Sequence, residues 1–314
     1  MAWQPGSISV LAFIAGAFSG ILAVLGWRYR GESGAKWFTG LMVAAGGWSL
    51  VYGIQLGYGT VADQLLWQRL GLAIGGTIPT LWFLFTLQYA GLDQWFTRRR
   101  LGLLAIDPFG FALLTLSNPL HGLAWSSATL EAGSAVRIVD LVVGPGYLVH
   151  IGYAYLLVAS GIVVLLGVFF RASTIYRKQT GLLVLGALPP FTANIAFTLQ
   201  LVWESFPPLD LTPFAFTLTG IAFGLALFQF DLLERTPVAR EQMIEEMGDG
   251  LVVLNADGEV VSSNSVATDV LDPSPTVGQP IAVYFPNVDG ELHRIDGTTV
   301  TADRHGSERI YDVS

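Results

Sequence analysis

The stretch DLTPFAFTLTGIAFGLALFQFDLLERTPVAR, residues 210–240, decides how this chain is organised. From 211 to 230 it is apolar and uncharged, close to the roughly 20 residues that a helix needs to cross a bilayer core. It then passes without a loop signal into the charged segment DLLERTPVAR. There Thr236 can cap a further helix with Pro237 at its first position, where the missing N–H costs nothing. A helix that leaves lipid and points straight into a soluble segment is the expected shape of a transducer, with Pro237 as the natural hinge at the crossing point.

The charge distribution places the boundary at Phe230. Of 314 residues, 52% are hydrophobic and only 13% charged, too apolar for an ordinary soluble protein. Residues 1–230 hold eleven Lys or Arg and eight Asp or Glu, whereas residues 231–314 hold five and sixteen. So acidic a tail fits a high-salt cytoplasm, or acidic solubilisation in general. It offers no basic face to phosphate, so nucleic acid is not an expected partner. The chain has no Cys, which excludes disulfides, thiolate zinc sites and flavin adducts through sulfur.

Seven apolar runs span 8–27, 37–58, 70–91, 101–117, 147–170, 181–203 and 211–230. The fourth is short and carries Asp107. Nine Lys or Arg lie in the first, third and fifth connections, and only Arg69 and Arg137 in the second, fourth and sixth. This positive-inside bias puts the N-terminus outside and the tail in the cytoplasm, an arrangement that needs an odd number of spans. The expected fold is therefore an all-α seven-helix membrane bundle over 1–230, a helical linker over 231–247 and a small α+β domain over 248–314. Gly16 and Gly20, Gly53 and Gly57, Gly71 and Gly75, and Gly220 and Gly224 are spaced to let helices approach closely inside the bundle, with a dimer face as the lesser reading.

In the tail, two β-branched runs at 251–254 and 259–262 flank a hairpin signal that ends at Gly258. A short helix is expected over 264–271, and strands over 298–301 and 308–313.

Several stretches carry a family likeness: WQRLGLAIGGTIPTLWFLFTLQYAG (67–91), NPLHGLAW (118–125), LPPFTAN (188–194) and the 210–240 segment. Together they resemble the seven-helix N-terminal region of prokaryotic, especially haloarchaeal, sensor histidine kinases. GLVVLNADGEVVSSN (250–264) is similar to the opening of a PAS domain, with Asn255 where an acidic residue is more usual. The resemblance implies a membrane sensor feeding a downstream kinase domain and response regulator, working as a homodimer. Neither His293 nor His305 is followed by an acid, and no Asp-x-Gly-x-Gly loop occurs, so no phosphotransfer by this chain itself is expected. A PAS sheet needs about five strands and the chain stops after the fourth, so it is expected to be a piece of a longer protein. A small transporter or membrane enzyme with a regulatory tail is the alternative; the absence of visible internal symmetry speaks against it.

A retinal protein would need a Lys within its last helix, and the only lysines, Lys36 and Lys178, lie at helix ends. Haem ligation through His293 or His305 is disfavoured, so no cofactor or metal is expected. The candidate sensing residues are those that are costly in lipid or clustered at one end of the bundle. Asp107 lies about 10 Å into its helix and is expected to pair with a neighbouring helix. Asn194, one turn beyond Pro189 and Pro190, can satisfy backbone groups freed by those prolines, or read a ligand. His121, His150, Glu204 and Asp210 fall near outer helix ends, where they either face water or line a pocket for a small polar ligand, a cation or protons.

Overall fold

A computed structural model of the chain describes residues 3–132, 137–171, 174–199, 209–230, 249–254, 258–271, 274–284, 298–304 and 307–313. Glu204, Pro237, His293, His305 and the expected linker over 231–247 lie outside these residues. The chain divides into two compact units, Met1–Pro237 and Val238–Ser314.

The first unit holds helices α1 (Ser7–Arg28), α2 (Ala35–Gln55), α3 (Val61–Gly75), α4 (Ile78–Tyr89) and α5 (Arg98–Leu116). A hairpin of β1 (Trp125–Ala132) and β2 (Arg137–Val143) follows, and then α6 (Pro145–Arg171), α7 (Thr174–Leu199) and α8 (Thr212–Phe230). Among the described residues, five helical segments are long and apolar enough to cross a membrane: α1, α2, Val61–Tyr89, α6 and Arg177–Thr198 within α7. Large apolar side chains such as Ile106 and Phe109 on α5 and Val149 and Val163 on α6 point outward, each at least 65% exposed. An outer surface of this kind needs lipid as its solvent.

The helices follow the apolar runs, with two differences. The third run begins earlier, at Val61, because Thr60 caps a polar first turn by accepting from the Asp63 N–H at 3.2 Å. It is also broken at Gly76 and Thr77. Pro79 has no N–H to continue the ladder, and the chain tightens there into an i to i−3 bond from Thr77 N–H to the Ile74 carbonyl at 3.0 Å.

The second difference is the antiparallel β1–β2 hairpin between α5 and α6, where only a connection was expected. Two buried amides hold it. Asn118 accepts from the Ala124 N–H at 2.8 Å and donates to the Trp125 carbonyl at 2.9 Å. Gln64 on α3 accepts from the Val139 N–H at 2.9 Å. An unmatched buried amide would cost about 1–3 kcal/mol, so these contacts fix the hairpin to the bundle end.

The bundle's main core gathers Phe38, Trp82, Phe85, Tyr89, Leu165, Leu183 and Phe223 from α2, α4, α6, α7 and α8. Small residues set the α1–α2 crossing: a Cβ on Gly46 would come 3.1 Å from the Gly16 carbonyl oxygen, and one on Gly53 3.1 Å from the Ser9 oxygen. Gly75 makes room for the Trp48 indole, and Gly220 for Phe18.

The second unit contains the expected elements. β3 (Val252–Leu254) pairs antiparallel with β4 (Val260–Ser263). Gly258 between them has φ 77°, a conformation that favours glycine. Asn264 caps the short α9 (Ser265–Val270), accepting from Ala267 N–H at 2.9 Å and from Leu251 N–H at 2.8 Å. β5 (Thr298–Arg304) and β6 (Ser307–Val313) form a separate antiparallel pair.

Candidate functional site

Residues of α2 to α8 line a partly open cavity of about 140 Å³. Thr212, Phe216, Thr219 and Phe223 line it at spacings of three and four, one face of α8 extending about 16 Å along its axis. Opposite stand Tyr147, His150, Ala154 and Tyr155 of α6, and Pro190, Phe191 and Asn194 of α7. Ring pairs form much of the wall: Trp48 meets Phe216 edge-on at 5.9 Å, Trp82 stacks on Phe223 at 6.3 Å, and Tyr155 meets Phe191 edge-on at 5.6 Å.

The polar end is built around Asp210, in the segment that leads into α8. Its backbone N–H donates to the Tyr52 hydroxyl at 3.0 Å, and its Oδ1 accepts from the Thr212 N–H at 2.8 Å. Burial pushes the Asp210 carboxyl up to about 6, against the pull of Thr212, whose hydrogen bonding favours the ionised form. The folded chain thus holds this proton more tightly than the unfolded chain, whose value is near 3.8. Stability from this group is present below pH 4 and is lost as pH rises towards 6, by on the order of 2–3 kcal/mol. Thermal unfolding in detergent across pH 4–7 should show that decline, and Asp210→Asn should flatten it; an unchanged profile in the variant would assign the slope elsewhere.

Beside the cavity, His150 Nδ1 lies 2.7 Å from Asp107 Oδ2, joining α6 to α5. The His150 ring stacks on Phe111 at 3.7 Å with 5° between planes. Asp107 thus meets a neighbouring helix, as its depth implied, and its partner is another candidate residue. Spacing along the sequence could not join them, because His150 stands only one turn into α6 whereas Asp107 sits mid-helix.

Prolines inside helices supply two further ties. Pro108 cannot bond the carbonyl of Leu104, and Tyr153 of α6 donates its hydroxyl there at 2.8 Å. Pro190 likewise frees the Gly186 carbonyl, which accepts from the Thr219 hydroxyl of α8 at 2.6 Å. Thr219 thereby takes a role expected of Asn194. The Asn194 side-chain oxygen instead accepts from Tyr155 at 3.1 Å, across the cavity from α6.

His150, Asn194 and Asp210 are therefore brought to one cavity, and Asp107 adjoins it through His150. His121 is elsewhere: its Nδ1 accepts from the Leu123 N–H at 3.0 Å and its Nε2 lies 3.0 Å from Ser117 Oγ, a local turn contact. Tyr155, Thr212 and Thr219 were missed as site residues. The two proline positions carried a signal for Tyr153 and Thr219, since each proline frees the carbonyl four residues earlier. Among the described residues no group of three His, Asp or Glu could hold a metal ion.

The family described as the N-terminal 7TM region of histidine kinase matches residues 11–237, most of the chain and all of the cavity. The chain belongs to this family. As an N-terminal 7TM region of a histidine kinase it is a multi-pass membrane protein and a sensor region, and the family points to a downstream kinase in the full-length system. No curated protein gives a significant match to the chain.

Proposed function

We propose that this chain is the input part of a two-component sensor kinase in which α8 carries a change in the cavity into residues 231–247 and a PAS-like tail. The observation that supports this reading best is the placement of α8. One face lines the cavity, the helix packs against α1, α2 and α7, and its last residue adjoins the segment that leads to the second unit. A stimulus that prefers one of two packings of α8 shifts the helix by a small tilt, rotation or piston movement. Pro237 is the proposed hinge, a homodimer the proposed assembly, and a kinase domain with its response regulator the proposed recipients.

In this reading α1, α2, the α3–α4 pair, α5, α6, α7 and α8 make seven spans with the N-terminus outside and the tail in the cytoplasm. The chain's lack of cysteine allows direct mapping. Ser126→Cys should react with an impermeant maleimide in intact cells, and Ser33→Cys only after permeabilisation; the reverse pattern would invert the orientation.

The relay is tested in the full-length kinase with two substitutions. Ala154→Phe should fill the cavity and Pro237→Ala should loosen the hinge, each changing autophosphorylation about 5-fold or more without altering membrane insertion. Unchanged output from both would remove α8 and the linker from the signalling path.

A further inference from the structure

We propose that the cavity binds a small organic ammonium ion, its head at Asp210 and its apolar body along the inner face of α8. This rests on the sensor reading above and gives that sensor's ligand a chemical class.

Four observations converge on it. No basic side chain among the described residues pairs with Asp210; the one contact of that kind joins His150 to Asp107. The preceding residues 200–209 contain no Lys or Arg. Thr212, buried and lining the same end, has a hydroxyl with no partner of good geometry among the described residues. Tyr52, Tyr147 and Tyr155 all lie within reach of the Asp210 charge, and Trp48 and Phe216 wall the cavity nearby. Aromatic rings in the neighbourhood of a carboxylate can add cation–π attraction to its Coulomb pull on an ammonium group.

Size sets the body. A cavity of about 150 Å³ accepts benzene, and this one, at about 140 Å³, takes a single ring or a short branched chain. An anion would be repelled by Asp210. A neutral hydrocarbon would leave the Asp210 carboxylate without a counter-charge and the Thr212 hydroxyl without a partner. At neutral pH the Asp210 carboxyl is mostly ionised and an alkylamine fully protonated, so the two charges meet directly.

The test uses the whole chain in lipid nanodiscs, titrated calorimetrically with benzylamine and with its neutral isostere benzyl alcohol. A single Ala154→Cys in the cysteine-free chain reports occupancy, because a ligand in the cavity slows its alkylation. The expected result is that benzylamine binds at least tenfold more tightly than benzyl alcohol, protects the thiol, and loses that advantage in Asp210→Asn. Equal binding of the two compounds would overturn the proposal, as would full benzylamine affinity in Asp210→Asn. If that variant fails to fold, the amine-to-alcohol ratio in the parent decides alone. Failure of both compounds to bind removes the ligand class and leaves the relay to be judged by the Ala154→Phe and Pro237→Ala outputs.

Discussion

Replacing His150 with alanine is expected to lower the stability of the helical bundle by about 1.5–3 kcal/mol, the range for a buried hydrogen bond to a charged group. The imidazole is the hydrogen-bond partner that the Asp107 carboxylate has among the described residues, at 2.7 Å, and both side chains are largely removed from solvent. Once it is gone, the carboxylate has lost that hydrogen bond at membrane depth, where an unsatisfied carboxylate is costly. The alanine also surrenders the ring stacked on Phe111. Unfolding in detergent or nanodiscs measures the loss. The double variant Asp107→Asn with His150→Ala should recover much of it, because no charge is then stranded. A single-variant loss below about 1 kcal/mol would mean that the pair contributes no net stability.

Phe223→Ala is expected to cost towards the lower end of the roughly 3–5 kcal/mol seen for buried aromatic truncations. Phe223 is fully buried and meets Phe38, Trp82 and Phe85, with centroids 6.0–6.3 Å away. In a membrane the unfolded helix keeps this ring among acyl chains, so the transfer part of the usual penalty is small. What remains is the void, whose lining atoms lose their contacts outright. The void opens into the existing cavity, so the same variant should admit bulkier ligands while it weakens the bundle. A Phe223→Leu control, closer in volume, should cost less than half as much. Equal losses from both would point to ring-specific contacts instead of volume.

The helices were legible because lipid imposes a simple rule: every backbone group must be satisfied within its own segment, and an apolar run of sufficient length has few alternatives. The tail's first hairpin was legible for a local reason, the glycine at 258 that its turn conformation favours. The β1–β2 hairpin was not, since its strands mix Ser, Thr, Glu and Asp with apolar residues and its anchors, Asn118 and Gln64, come from outside it. In the site, the unusual residue types stood out one at a time. Asp107, His150, Asn194 and Asp210 were each visible as costly groups, but the meeting of Asp107 with His150 depends on how α5 and α6 slide past each other, which side-chain packing sets. The tyrosine and threonine hydroxyls gave less warning still, because Tyr153 and Thr219 gain their meaning only from the carbonyls that Pro108 and Pro190 leave free on other helices.

The break at Gly76 and Thr77 has a mechanical corollary. On one side of it, Gln64 clamps α3 to the β2 strand; on the other, Trp82, Phe85 and Tyr89 root α4 in the aromatic core. A continuous rod would transmit any tug on the hairpin undiminished into that core. Two short rods joined at a tightened turn divide that load, so pulling on the hairpin should jostle the cavity wall at Gly75 and Gly76 before it disturbs anything deeper.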